Sequence, residues 1–331
     1  MPENEYNYMF FNLSNFFTFV PTMKIAFLDA ATLGEGVLYN EIEKYGNLIC
    51  YPSTNDREVF GRVTDADVVI VNKVKIFKEH IDAAKNLKLI CVAATGTNNV
   101  DSIYAESKGI KVKNVVGYST ESVVQITFGS LLALINNIGY FDRCVKSGKY
   151  SQSPHFTDTG RAFSEIYDKN FGIIGMGTIG KRVAEVATAF GAKVSYYPTS
   201  GKAHCKDYPA VSLEELLAAS DIISIHAPLN EKTKNLISIN ELRIMKPSAC
   251  IANMGRGGII NEKDLAQSID LNLIAGAAVD VYESEPIPQD HPYLQIKEKE
   301  RIIMTPHIGW SSKEARITLV SRIAENIRSA F

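Results

Sequence analysis

Three side-chain types suited to one reaction stand where apolar segments of this 331-residue chain end. Arg256 lies in Asn253-Met254-Gly255-Arg256-Gly257-Gly258, after the apolar run Ala249–Asn253. His226 closes Asp221–Ile225, and His307 follows Ile302–Thr305 in Thr305-Pro306-His307. Asp280 ends Gly276–Val279, with Glu283 and Glu285 shortly after it. A guanidinium can grip a carboxylate through two parallel hydrogen bonds. An imidazole titrates near neutrality and can pass a proton to a carbonyl oxygen. An acid beside it fixes the tautomer and strengthens its hold on the proton. Together they match hydride transfer to a 2-oxo acid, with a nicotinamide supplying the hydride. Singly, each has a plainer reading: a hydrogen-bonded structural histidine, a salt-bridged arginine, or solvated acids in a polar turn before Pro286.

A dinucleotide site is the other requirement. Gly175-Met176-Gly177-Thr178-Ile179-Gly180 sits between the apolar run Phe171–Ile174 and a helix-periodic set, Ile179, Val183, Val186, Ala187 and Phe190. That order is strand, glycine turn, helix. Gly175 would permit the tight turn, Gly177 would let a pyrophosphate approach the backbone, and Gly180 would let helix and strand pack closely. The helix start offers N–H groups and a partial positive charge to phosphates. A lone glycine pattern also occurs for packing; the flanking strand and helix favour the dinucleotide reading here.

These groups need parallel sheets to position them. Strand-like runs recur at Ile25–Asp29, Asp67–Asn72, Leu87–Thr95, Lys111–Val115, Phe171–Gly175, Lys193–Tyr197, Asp221–His226, Ala249–Asn253, Gly276–Val281 and Ile302–Thr305. Helical periodicity fills many gaps, and several runs are apolar on both faces, as helix-covered parallel strands are. This alternation predicts an α/β fold with two parallel sheets. In such sheets ligands bind beyond the carboxyl ends of the strands. One long helix is expected from Ser119 to about Ser147, followed by an irregular stretch to Asp168, and an amphipathic helix is expected over Ser311–Phe331.

Lys and Arg number 35 against 37 Asp and Glu, a net charge of −2, so no polyanion-binding surface is indicated. Neither nucleic acid nor membrane is an expected partner: no segment reaches the ~18 apolar residues of a membrane helix. The five cysteines, Cys50, Cys91, Cys144, Cys205 and Cys250, are dispersed, which suits a reduced, cytoplasmic protein. No metal-ligand cluster is visible, and none is expected. Residues 1–22 hold no Lys or Arg and read as an extension ahead of a clean strand, Lys24-Ile25-Ala26-Phe27-Leu28.

At these residues the chain resembles the D-isomer-specific 2-hydroxyacid dehydrogenases. The resemblance runs from Met23 to the C-terminus on five ordered motifs: Gly172 to Gly180, His226-Ala227-Pro228-Leu229, Asn253 to Gly258, Asp280 to Pro286, and Thr305-Pro306-His307-Ile308-Gly309. It implies that Arg256 grips the substrate carboxylate and polarises the carbonyl, Glu285 partners the histidine, and His307 is the general acid/base. It implies a substrate-carboxylate loop at Thr95 and Gly96, with the nicotinamide amide held by Asp280. Gly175, Gly177, Thr178, Ile179, Gly180, His226, Pro228 and Asn253 then line the cofactor. Tyr118-Ser119-Thr120-Glu121-Ser122-Val123, Ser153-Pro154 and Trp310 resemble the glycerate dehydrogenase/hydroxypyruvate reductase branch.

The implied architecture is two Rossmann-like lobes with a cleft. The dinucleotide-binding domain, 119–304, is inserted into a discontinuous substrate domain, 23–118 and 305–331. A homodimer is expected, acting on hydroxypyruvate, glyoxylate or D-glycerate. Dehydrogenase-like nucleotide-sensing corepressors share the fold and remain the alternative. One departure stands out. Pro198 occupies the place of the acid that ordinarily binds the adenosine ribose, followed by Thr199, Ser200 and Lys202, which could take a 2′-phosphate. NAD and NADP are both open.

Overall fold

A computed structural model of the protein describes residues 23–331. The expected extension, 1–22, lies outside the described residues. The chain forms two compact units: one ends at Val115 and is rejoined by Val320–Phe331, the other is Val116–Leu319.

The first unit holds β1 (Lys24–Phe27), β2 (Asn47–Cys50), β3 (Val68–Val71), β4 (Leu89–Val92) and β5 (Lys111–Lys113). They form one parallel sheet in the order β2-β1-β3-β4-β5. β3 and β4 are buried throughout, as central parallel strands covered on both faces must be. The sequence reading missed β2. It is a short edge strand: its apolar run, Leu48-Ile49-Cys50, is only four residues with Tyr51 and stays mostly exposed.

The second unit holds β6 (Asn170–Ile174), β7 (Lys193–Tyr197), β8 (Ile222–Ile225), β9 (Cys250–Asn253), β10 (Gly276–Val279) and β11 (Ile302–Met304). All pairings are parallel, in the order β11-β10-β9-β8-β6-β7. Successive strand residues feed opposite cores. Ile173 joins Val123, Phe128, Leu131, Val183 and Ala187 from the helices Thr120–Ile135 and Thr178–Ala189. Ile174 joins Leu216, Leu242, Leu265 and Ile269 from the helices Leu213–Ala219, Ile239–Ile244 and Glu262–Asp270. Each such buried side chain contributes roughly 1.5–3 kcal/mol.

One expectation needs correction. The long helix predicted from Ser119 is two, Thr120–Ile135 and Ile138–Lys146, bent by 64°. The break is at Asn137, which adopts the left-handed conformation (φ 52°) and donates from Nδ2 to Ala162 O at 3.1 Å; asparagine tolerates that region better than most residues. The second compact unit runs on to Leu319, inside the final helix Lys313–Arg328. The turn after β11 stays with the second unit because its Thr305, Ile308 and Gly309 are hydrogen-bonded to Asp280. No single helix among the described residues is long and apolar enough to cross a membrane.

Candidate active site

Strand order in the second unit reverses at β6, with β7 on one side and β8 on the other. A crevice for a ligand opens at the carboxyl ends of strands at such a point. The glycine turn leaves β6 there. Gly175 has φ 92°, and a Cβ on it would sit 2.9 Å from the Ala227 backbone. A Cβ on Gly180 would lie 2.1 Å from Gly175 O, so helix Thr178–Ala189 is pressed against the turn. Nothing lies within 4 Å of where a Gly177 Cβ would be. The N–H groups of the first helical turn, Thr178, Ile179 and Gly180, have no intrahelical acceptor and adjoin that open space. The turn therefore fits a pyrophosphate, which needs backbone donors and room at one position.

The loop after β7 is held to this turn. Gly175 N–H donates to Tyr197 O at 3.1 Å, and Gly201 N–H closes a turn onto Pro198 O at 2.9 Å. The buried Tyr196 hydroxyl accepts from His204 N–H and Cys205 N–H. The His204 ring meets Met176 O through Nε2 at 2.8 Å and Lys202 O through Nδ1 at 3.2 Å. Two carbonyls facing both nitrogens favour the imidazolium and raise its pKa. From Lys193 to Lys206 there is no Asp or Glu. Thr199 is half-buried, and Ser200 and Lys202 are exposed.

The proton-handling residues converge across β9, β10 and β11, three adjacent strands whose carboxyl ends share one sheet edge. His307 Nδ1 lies 2.7 Å from Glu285 Oε2, and Glu285 Oε1 accepts from Tyr282 N–H at 3.0 Å. With Nδ1 donating to the carboxylate, Nε2 is the nitrogen left to exchange a proton; it makes no hydrogen bond among the described residues. His307 itself has φ 54°, a left-handed conformation that costs roughly 1–2 kcal/mol for a residue with a Cβ.

Arg256 leaves β9 on a turn shaped by its neighbours. Asn253 Oδ1 accepts from Gly255 N–H at 3.1 Å, and Asn253 Nδ2 donates to Arg256 O at 2.9 Å. Gly257 packs face-on against the next loop, where its Cβ would fall 2.0 Å from Tyr282 C and O. The Arg256 turn therefore lies directly on the turn that carries Glu285. The guanidinium is exposed and, among the described residues, makes one bond, Nη1 to Gly255 O at 2.8 Å. Its charge also reaches Tyr118, a phenol raised to about 12 by burial and pulled back in part by Arg256. Tyr118 meets Trp310 edge-on at 6.5 Å.

Other expected residues stand as follows. The Asn253 amide is spent on the Arg256 turn, so it shapes that loop. The Asp280 carboxylate accepts from Thr305 Oγ1 at 2.6 Å and from Ile308 and Gly309 N–H at 2.8 Å each. Pro228 is exposed, and its carbonyl accepts from Thr233 Oγ1. Thr95 and Gly96 belong to the first unit, past the end of β4. There Thr95 Oγ1 donates to Val115 O at 3.2 Å, and Thr95 O accepts from Asn114 Nδ2 at 2.6 Å.

The sequence reading did not single out Tyr282. Its N–H holds Glu285, its hydroxyl donates to Thr305 O at 2.9 Å, and its backbone carries Gly257. Burial first, then the charges of Asp280, Glu285 and Glu262, raises its pKa to about 12, so it stays a neutral donor. Only its position two residues past Asp280 could have marked it. Beneath it, Glu262 accepts from Glu283 N–H and meets His291 Nε2, each at 2.8 Å, anchoring the acid's turn to helix Glu262–Asp270.

His226, at the end of β8, bonds Ser224 Oγ through Nε2 at 2.8 Å, while Nδ1 is hidden from solvent with no partner among the described residues. Burial pushes the imidazole down from 6.5 to about 3, so it is neutral and does not serve as the acid. Between those values the unfolded chain binds a proton that the folded chain refuses. Stability therefore falls as pH drops through that window, by up to about 1.4 kcal/mol per unit, and levels off below it. In His226→Gln the slope of unfolding free energy against pH, measured from about pH 4 to 6, should shrink by up to one proton. An unchanged slope would contradict the assignment.

The profile of the D-isomer specific 2-hydroxyacid dehydrogenase NAD-binding domain matches residues 128–309. Hydroxypyruvate reductase of Blautia hydrogenotrophica is 35% identical over 314 residues, 92% of this chain and 96% of that protein. An acyclic imino acid reductase solved with NADPH and D-Arg superposes with TM-score 0.82 at 31% identity, covering 93% of this chain and 96% of its own. D-lactate dehydrogenase of Aquifex aeolicus, solved with NAD and lactic acid, superposes with TM-score 0.80 at 26% identity, covering 92% and 94%. The fold and the glycine turn at its switch point define a dinucleotide-dependent oxidoreductase. The chain belongs to the D-isomer-specific 2-hydroxyacid dehydrogenase family and is an NAD(P)-dependent enzyme of 2-oxo and 2-hydroxy acids.

Proposed function

We propose that this protein reduces hydroxypyruvate or glyoxylate and, in reverse, oxidises D-glycerate. The observation that carries the residue roles is the Glu285–His307 pair at 2.7 Å, beside the Arg256 turn on one sheet edge. The nicotinamide supplies the hydride when bound. Arg256 takes the carboxylate and polarises the carbonyl. His307 delivers the proton from Nε2 to the forming alkoxide, and Glu285 stabilises the imidazolium before transfer. Gly175, Gly177, Thr178, Ile179 and Gly180 bind the pyrophosphate, with His226 and Pro228 lining the same crevice. A panel of 2-oxo acids followed by nicotinamide absorbance tests this reading; uniform inactivity with both reduced coenzymes sinks it.

The loop after β7 favours NADPH. It offers no carboxylate to the ribose hydroxyls, while Ser200 and Lys202 offer a hydroxyl and positive charge to a 2′-phosphate. The expected kcat/KM is at least about tenfold higher with NADPH than with NADH, since a charge-assisted hydrogen bond contributes about 1.5–3 kcal/mol. Equal values, or a preference for NADH, would remove the phosphate site.

The active form is a homodimer. Ile138, Val145, Phe156, Phe163 and Tyr167, all within 138–167, are large apolar side chains left exposed, and a dimer contact would cover such groups. Light scattering should give twice the 36.5 kDa chain mass; a monomer at micromolar concentration overturns this. The five free cysteines, three of them buried, suit a cytoplasmic setting.

A further inference from the structure

The Asp280 carboxylate is enclosed. It is 2% exposed, stands directly past β10, and forms no ion pair among the described residues. Its backbone is fixed on both sides, since Asp280 N–H donates to Asn253 O at 3.1 Å and Thr305 N–H donates to Val279 O at 3.0 Å. Its two oxygens face one short turn only. Oδ1 takes the Thr305 hydroxyl at 2.6 Å and Ile308 N–H at 2.8 Å, and Oδ2 takes Gly309 N–H at 2.8 Å. His307 lies between those donors with φ 54°. A Cβ at 309 would sit 2.8 Å from Oδ2, so glycine is required for the approach.

We propose that Asp280 is the positioning residue for the proton-transfer histidine. Its carboxylate draws Ile308 and Gly309 N–H inward and holds His307 in the left-handed conformation, which sets Nδ1 on Glu285 and leaves Nε2 for substrate. An isolated histidine disfavours that conformation, so the turn needs an outside clamp, and three donors on one acceptor-only group supply it. The rigidity comes from the parallel sheet: β10 fixes Asp280, and Asp280 fixes the turn. This rests on the reading of His307 as acid/base and departs from a role for Asp280 in holding the nicotinamide amide. Asparagine is a poor replacement, because its NH₂ would face a backbone N–H where an acceptor is needed.

The test compares Asp280→Asn and Thr305→Val with the unaltered full-length enzyme. Three quantities are read: turnover at saturating coenzyme, coenzyme Kd by nucleotide fluorescence, and amide exchange across 305–309. Asp280→Asn should lose about 10²-fold in kcat, comparable to disabling an acid/base group, with Kd within about threefold. Exchange in the turn should quicken by at least about tenfold, as local opening becomes easier. Thr305→Val, which removes one of the three donors, should shift kcat and exchange the same way by roughly 3–10-fold.

Weakened coenzyme binding with kcat retained at saturation would overturn the proposal and make Asp280 a coenzyme contact. Normal kcat and normal exchange would overturn it outright. If Asp280→Asn does not fold, Thr305→Val decides on the same criteria. His307→Ala run in parallel separates the two readings: near-normal turnover there sinks the role of His307, whereas unaltered exchange in the Asp280 and Thr305 variants sinks the clamp.

Discussion

Replacing His307 by alanine is expected to lower kcat for 2-oxo-acid reduction by about 10²–10⁴-fold, the usual contribution of a positioned general acid. The geometry gives the reason for assigning this loss to His307 and not to His226. His307 has an acid on one ring nitrogen and, among the described residues, no partner on the second, whereas burial holds His226 neutral. Coenzyme Kd should change little, because the phosphate-facing backbone at Gly177 lies on a different strand end. Glu285→Gln should lower kcat in the same direction: the amide oxygen can still accept from Nδ1–H, but its NH₂ then faces Tyr282 N–H and the imidazolium loses its counter-charge. Steady-state and single-turnover rates with saturating NADPH check both. Turnover of His307→Ala within about threefold of the unaltered enzyme would place the proton donor elsewhere, since acid/base help is ordinarily worth far more.

Much of this site was legible before any coordinates because parallel strands write their ends into the sequence. Each of β6, β8, β9, β10 and β11 is a short apolar run stopped by a polar or glycine residue, and the candidates sat at those stops. The glycines of the turn after β6 were separable for the same reason: one must bend, one must leave space, one must pack. What escaped was anything that depends on cross-strand neighbours. Tyr282 is an aromatic in a polar turn until its N–H is seen to hold Glu285 within that turn and its hydroxyl to reach the Thr305 loop. Asn253 and Asp280 look like groups aimed at a ligand, yet their hydrogen bonds turn inward to the Arg256 and His307 turns. A polar residue at a strand end has two possible customers, the ligand and the adjacent loop, and one-dimensional spacing does not choose between them. The bend at Asn137 escaped too, because a hydrophobic period continues across a break that one left-handed asparagine creates.

Arg256→Lys is the second large effect, expected to reduce kcat/KM for the oxo acid by about 10²–10³-fold, in the range of losing a transition-state hydrogen-bond donor. The charge is retained, so the loss reports the guanidinium fork. The backbone should not move: the turn is set by the Asn253 amide and by Gly257 packed on the Tyr282–Glu283 peptide, neither of which the substitution touches. Arg256 is exposed and, among the described residues, its guanidinium bonds only Gly255 O, so folding stability should be nearly unchanged. The loss should appear in KM for the acid as well as in kcat, because the same fork binds the carboxylate in the ground state and the polarised carbonyl in the transition state. Lysine that supports near-normal kcat/KM would mean that a point charge suffices, and the bidentate grip would be wrong. The two residues also make a joint prediction. If Arg256 and His307 act on one carbonyl, the loss in the Arg256→Lys/His307→Ala double variant should fall well short of the product of the single losses. Simple multiplication would instead mean that the arginine binds substrate without taking part in the step that His307 completes.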